Sequence, residues 1–321
     1  MKILAIDSTS KNLSICISED NEILSSVNDA RSSKHMENII ADIDKAFKNL
    51  SFGINDIDLF AVGLGPGDFT GSRIGISVIK TFSMLSGREA LGFNALDVFT
   101  ISSLFKNMDK IEKRITRGGK VIIIPLMDVR NHEIFFSLYE AAIVDADTSG
   151  ENIKDVFKKI QDGNVVFIYK LNDKNILIKK LYDENVLIKK DEFFERFCQL
   201  LEQIKKLNQC SCSCCSSIFS TKIQDKILKN TAGVLKNNKH KETVINYILT
   251  GNAFSSYIDI FNDIKNKAGD IKDIKVFIEK NNRYTDARYI SLLSYFRAVT
   301  DSGNTNIAPL YVRDFIPFGR R

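Results

Sequence analysis

Tryptophan is absent, proline occurs 4 times and histidine 3 times in 321 residues. The three histidines, at 35, 132 and 240, are far apart in sequence, so no pair is placed by spacing to share one metal ion. No stretch reaches 18 consecutive apolar residues, and no membrane-spanning helix is expected. The first apolar run, Ile3-Leu4-Ala5-Ile6, stops after four residues, too short for the middle of a signal peptide, so a cytoplasmic location is expected. Charge of one sign is also scarce. Lys+Arg is 45 against Asp+Glu 40, a net charge of +5, too little to demand nucleic acid as a direct partner. The 6 cysteines suit a compartment that keeps them reduced. What is present is an ordinary apolar share of 44%, enough to bury a core in one large or two ordinary domains.

The N-terminus reads as a β-meander. Ile3–Ile6 is a short apolar strand ending in Asp7-Ser8-Thr9-Ser10, Leu13–Ser18 alternates with period two, and Ile23–Val27 follows a polar turn. Met36, Ile39, Ile40, Ile43, Ala46, Phe47 and Leu50 recur at three and four, predicting a helix over about 34–50. Ile57–Gly63 is a strand, Ile74–Ser86 a helix, Ala90–Phe93 a strand and Leu96–Phe105 a helix. This is an α/β layered unit, and the charged stretch Lys106–Lys120 is the expected boundary between domains 1–106 and 107–321. Strands are then expected at Val121–Asp128, Glu133–Tyr139, Val165–Tyr169 and in the similar runs Asn175–Lys180 and Asn185–Lys190. The Lys/Asn-rich stretch of about 195–275 reads as a variable insertion, Ala287–Thr300 as an amphipathic helix, and Ile307–Arg313 as an extended tail.

The most informative segment runs from Gly63 to Gly75 and holds Gly65, Pro66, Gly67, Asp68, Thr70 and Gly71 between a strand and a helix. Glycines let a backbone approach something closely, and helix N–H groups favour an anion. A tight strand-to-helix connection serves equally well. The spacing meets neither common nucleotide motif. Asp7-Ser8-Thr9-Ser10 suits a hydrated metal and phosphate, or an ordinary turn. Asp128, Arg130 and Glu133 read as structural or interfacial. Cys212 and Cys215 have C-x-x-C spacing, but no second ligand pair accompanies them, and a small-residue loop is the preferred reading.

Five segments together resemble the TsaB (YeaZ) family. Ile3–Ser10 looks like the first strand and phosphate loop of the actin/Hsp70/sugar-kinase (ASKHA, RNase H-like) superfamily. Ser33-Lys34-His35-Met36-Glu37 is similar to the family's Lys-His-Ser-Glu segment, and Gly65–Gly75 to its G-P-G-S-F-T-G-x-R-x-G signature. Leu126–Phe135 resembles its D-A-R-x-x-E segment, and Ala308–Arg313 its terminal P-x-Y-x-R. The resemblance implies two actin-like lobes of mixed sheet flanked by helices, the second divergent with an insertion. It implies a non-catalytic subunit in making threonylcarbamoyladenosine at position 37 of ANN-decoding tRNAs. That subunit pairs with the catalytic paralogue TsaD and helps to recruit the ATPase TsaE, while TsaC supplies threonylcarbamoyl-adenylate. RNA is met only through the complex, a homodimer is left open, and no cofactor is expected beyond ATP or ADP at a complex interface.

The paralogue's metal-binding His-x-x-x-His has no counterpart here, because Gly92–Thr100 contains no histidine. The docking surface is expected on the apolar face of the first two helices, Met36, Ile39, Ile40, Ile43, Ile76, Ile79 and Phe82, together with Arg73, with Gly71 and Gly75 allowing close approach. The competing assignment buries these residues on their own sheet. The alternative function is an ATP-dependent phosphotransferase of the same superfamily, which needs Asp7 at a metal–phosphate site. A third option, a direct RNA-binding module, has only basic patches at about 170–190 and 222–242.

Overall fold

The computed structural model describes residues 1–29, 35–129, 132–143, 155–157, 164–171, 174–181, 185–209, 244–269, 271, 274–300 and 307–308. Within them the α/β expectation holds. The first sheet has 5 strands in the order β3-β2-β1-β4-β5: β1 (Lys2–Asp7), β2 (Leu13–Glu19), β3 (Glu22–Asp29), β4 (Leu59–Gly65) and β5 (Glu89–Asn94). The meander is antiparallel, whereas β4 and β5 run parallel to β1. Helices α1 (His35–Phe47) and α2 (Phe69–Ser86) follow β3 and β4, and α3 (Ala95–Lys106) and α4 (Met108–Thr116) follow β5. Ile39, Ile43, Ile76 and Ile79 turn onto Leu4, Ile6, Leu13, Ile15, Phe60 and Val62 and close the core on one face.

The second sheet repeats this order. Its strands are β6 (Lys120–Asp128), β7 (Glu133–Phe136), β8 (Tyr139–Ile143), β9 (Val165–Leu171), β10 (Lys174–Lys180), β11 (Val186–Lys189), β12 (Ile245–Thr250) and β13 (Ile274–Ile278). β6 has antiparallel β7 and β8 on one side and parallel β12 on the other, with β13 beyond it. Glu133–Tyr139 is thus two strands, divided at Ser137 and Leu138. The similar runs near 175–190 pair with different strands, β10 with β8 and β9, and β11 with β7. Helices α5 (Lys190–Gln209) and α6 (Ile258–Gly269) flank this sheet.

The insertion reading over 195–275 is corrected for its second half. All six residues of β12 are buried, and the strand lies between two parallel neighbours. Doubly covered parallel strands read as continuous apolar runs, which the surrounding Lys and Asn conceal. Residues 210–243, including the Cys210–Cys215 cluster and His240, lie outside the described residues. The stretch Lys106–Lys120 is also not a simple linker, since α4 fills most of it and buries Ile111.

Helix α7 (Ala287–Thr300) returns to the first sheet. Ala287, Ile290, Leu293 and Phe296 join Ile3, Ala5 and Phe93 of that sheet and Val121, Ile123 and Ile248 of the second in one core. A helix covered on both sides is not amphipathic in the usual sense, and its small polar residues are satisfied locally. Ser291 Oγ lies 2.6 Å from Ser18 Oγ, and Ser294 Oγ donates to the Ile290 carbonyl at 2.7 Å.

Candidate functional site

The turn after β1 is wound on its own side chains. Asp7 Oδ1 accepts from the Thr9 N–H (2.9 Å) and from Thr9 Oγ1 (2.8 Å). This local bonding is what Asp followed by a hydroxyl residue favours. Thr9 Oγ1 lies 3.3 Å from Thr285 Oγ1, and Ser8 Oγ donates to the Gly71 carbonyl at 2.7 Å. Asp7 is fully buried, and its Oδ2 has no hydrogen-bond partner among the described residues. Burial pushes its pKa up from 3.8 to about 6, with the bonds from Thr9 opposing the rise and the nearby Asp286 charge adding to it.

The glycine loop closes over this turn. A Cβ on Gly67 would stand 2.0 Å from the Thr9 carbonyl oxygen, and one on Gly71 would stand 2.1 Å from that of Ser8. One on Gly75 would meet Ser8 Oγ at 2.3 Å, and one on Gly63 would meet Asp7 Oδ2 at the same distance. The segment thus needs glycines because α2 and its loop press on Asp7-Ser8-Thr9. The expectation that Gly71 and Gly75 admit a partner is corrected accordingly. The N-terminus of α2 already has an anion: Asp68 caps it, accepting from the Gly71 N–H at 2.7 Å. Gly65 and Pro66 are buried, while Gly67, Asp68 and Thr70 are exposed.

The expected docking residues divide. Ile39, Ile43, Ile76 and Ile79 are 0–4% exposed and belong to the core, so they are unavailable to a partner. The periodicity that singled them out marked the inward face. Ile40 is 52% exposed. Phe82 is half-buried and stacked on Phe60, and Arg73 is exposed with its guanidinium over the Phe69 ring. The side chain of Met36 lies outside the described residues. Sequence reasoning missed Met84 and Leu85, both 82% exposed, and Phe69, 40% exposed. The available signal was that Met84 and Leu85 fall out of phase with the Ile76–Ile79 stripe.

Two polar clusters hold the second lobe. Asp128, at the end of β6, stands where Asp7 stands on β1. It accepts from Ser256 Oγ (2.5 Å) and Tyr257 OH (3.2 Å), and its N–H donates to Asn252 Oδ1 (2.8 Å). Its expected neighbour Arg130 lies outside the described residues, and His132 is exposed in the hairpin turn. Asn282, buried between α3 and β12, accepts from Ser102 Oγ (2.8 Å) and Lys106 Nζ (2.9 Å) and donates to the Phe99 carbonyl (3.1 Å) and Thr250 Oγ1 (2.8 Å). In the segment where the paralogue carries its histidines, Asn94 caps α3 and Asp97 accepts from Tyr139 OH at 2.7 Å. Both have structural partners. No group of three His, Cys, Asp or Glu side chains suited to a metal occurs among the described residues.

The family model described as TsaD, tRNA N6-adenosine threonylcarbamoyltransferase, matches residues 23–256. The tRNA threonylcarbamoyladenosine biosynthesis protein TsaB of Haemophilus influenzae is 28% identical over 138 residues, covering 43% of this chain and 53% of that protein. A tRNA N6-adenosine threonylcarbamoyltransferase of Kosmotoga olearia is 32% identical over 111 residues, covering 30% of this chain and 34% of its own. The chain therefore spans about a third to a half of the length of these relatives. The solved YeaZ from Pseudomonas aeruginosa superposes with a TM-score of 0.53 at 12% identity, over 97% of this chain and 99% of that one. That likeness speaks for the fold alone, two mixed sheets flanked by helices.

Proposed function

The chain belongs to the family that takes in TsaD and its paralogue TsaB (YeaZ), and from that footing we propose that it is a non-catalytic subunit of the machinery that makes threonylcarbamoyladenosine in tRNA. Its task is to dock on a TsaD-type catalytic paralogue and to help bring a TsaE-type ATPase to the complex. One observation carries this reading. The helices whose inner faces fill the first core carry apolar side chains on the outside: Ile40 on α1, and Phe69, Met84 and Leu85 on α2. Exposed apolar residues on the outer sides of two adjacent helices are what a partner can bury, and burying a leucine is worth about 1.5–3 kcal/mol. The glycine loop fits this role because it is packed shut on its own turn.

Co-expression with the cognate TsaD-type paralogue tests the proposal. A complex that co-purifies, and that Leu85→Asp abolishes, is the expected result. Failure to form a complex in any nucleotide condition overturns it. A phosphotransferase reading has one observation in its favour, the unpartnered Oδ2 of Asp7 at the end of β1. Against it, the same carboxyl is fully buried beneath the glycine loop. Calorimetry with ATP and magnesium separates the two, since tight binding by the chain alone favours the enzyme.

A further inference from the structure

Helix α3 stands between the two lobes. It packs on β4 and β5 of the first sheet and on β6 and β12 of the second, and every residue from Ala95 to Leu104 is buried. Two lobes of one chain move relative to each other by default, unless their interface is large and apolar. Here one core runs through both. Ile3, Ala5 and Phe93 of the first sheet and Val121, Ile123 and Ile248 of the second share it with Ile101 and Leu104 of α3. Apolar contact is non-directional, so it holds the lobes together without fixing the angle between them.

The directional contacts are polar and lie at three places. In the first turn of α3, Asp97 accepts from Tyr139 OH of β8 at 2.7 Å, and Arg297 of α7 stands 3.9 Å from the other carboxylate oxygen. Farther along α3, Asn282 accepts from Ser102 Oγ and Lys106 Nζ and donates to the Phe99 carbonyl. Its remaining amide hydrogen goes to Thr250 Oγ1 of β12, so every hydrogen-bonding position of this side chain is used. Thr250 donates in turn to Glu279 Oε2 at 3.0 Å, and the Glu279 N–H donates to the Leu249 carbonyl at 2.9 Å. The stretch that carries Asn282 is therefore tied to the second sheet. Away from α3, Thr285 Oγ1 lies 3.3 Å from Thr9 Oγ1, and the Ala287 N–H donates to Ser14 Oγ at 2.9 Å. Asp97 and Ser102 are about 8 Å apart along the helix axis, and two points on one axis leave rotation about it open. The third place lies off that axis and stops the rotation. Asp97, Ser102, Tyr139 and Asn282 are all buried. A satisfied buried polar network selects one arrangement, at a desolvation cost that apolar side chains would not carry.

We propose that these contacts lock the two lobes as one body, with Asn282 and the Tyr139–Asp97 bond as bolts through α3, so that the cleft between the lobes does not open and close. The lock is independent of the docking reading, because α1 and α2 both belong to the first lobe. It works against the phosphotransferase alternative, since enzymes of that kind close over their substrates. Spin labels carried by non-canonical amino acids at the exposed positions Lys80 on α2 and Lys265 on α6 test it in the full chain, with the distance between them read by pulsed electron paramagnetic resonance. The wild type is expected to give one narrow distance that ATP and magnesium move by less than about 2 Å, below the scale of hinge closure. Tyr139→Phe/Asn282→Ala, at a temperature where circular dichroism shows it folded, is expected to spread the distribution by more than about 2 Å. Should that variant not fold, Ser102→Ala/Tyr139→Phe, which removes one hydroxyl at each bolt, takes its place. A network that only stabilises the fold lowers the melting temperature and leaves the distance narrow, and that result overturns the proposal. So does a wild type whose distance is broad or shifts beyond that limit with ATP. Co-purification with the paralogue is read in parallel. A narrow distance without any complex sinks the docking reading alone, and a complex formed by a hinged wild type sinks the lock alone.

Discussion

Replacing Asp7 with Asn probes the turn beneath the glycine loop. The carboxyl is fully buried and its pKa lies near 6 instead of 3.8, because burial disfavours the charged form more than the Thr9 bonds favour it. The folded chain therefore keeps this proton to higher pH than the unfolded chain does. From about pH 3 to pH 7 the group makes stability fall as pH rises, by about 3 kcal/mol in all, and above about pH 7 the loss is complete and constant. Asn has no such proton, so its variant lacks this component. Its Oδ1 retains the Thr9 bonds, while its Nδ2 takes the place of an oxygen that has no partner, a pH-independent cost of about 1–3 kcal/mol. Urea unfolding followed by circular dichroism at pH 4 and pH 7 measures both effects. The stability of the wild type relative to the variant should fall by about 2–2.5 kcal/mol between the two pH values, since at pH 4 part of the loss has already occurred. Parallel pH curves would refute the raised pKa, and a relative gain at pH 7 would refute its sign.

Gly71→Ala gains about 1 kcal/mol of helix propensity but drives a Cβ to 2.1 Å from the Ser8 carbonyl oxygen, so a net loss of at least about 2 kcal/mol is expected in chemical denaturation. Asn282→Ala removes four hydrogen bonds and strands Lys106 Nζ and Ser102 Oγ between α3 and β12, so a loss of about 2–4 kcal/mol should appear in the same assay. Leu85→Asp changes a side chain that is 82% exposed, so its unfolding midpoint should match that of the wild type to within about 0.5 kcal/mol while binding to the paralogue is lost. A melting temperature that drops with it would place Leu85 in the fold rather than on a docking surface.

The first sheet was legible because its strands and helices have clean periods. The Ile39–Ile43 stripe marks one buried face, and Leu13, Ile15 and Ile17 turn to it, whereas the polar positions Ser14 and Ser18 are buried on the other face under α7. Where the reading failed, composition or glycine hid the pattern. Ile245–Thr250 is a central strand set in a lysine- and asparagine-rich stretch, and α4 was hidden in the charged domain boundary because its apolar face is only Met108, Ile111 and Ile115. Helix α2 begins at Phe69, five residues before the expected Ile74, since Asp68 caps a first turn that Thr70 and Gly71 make look like loop. At the site, the glycines announced a close approach without naming its object. That object, the Asp7–Thr9 turn, lies some sixty residues away in sequence and belongs to tertiary structure alone. Likewise, the apolar stripe gave the helix faces, but a stripe that packs on the chain's own sheet and one that awaits a partner have the same period.

The central claim is the proposal that this chain works by contact rather than by chemistry of its own. Purified chain, threonylcarbamoyl-adenylate and unmodified tRNA, combined with and without the TsaD-type paralogue and followed by mass spectrometry of the tRNA nucleosides, test it most directly. The account predicts modified adenosine only when the paralogue is present, and less of it when Leu85→Asp replaces the wild type. Modified adenosine formed by the chain alone would contradict it.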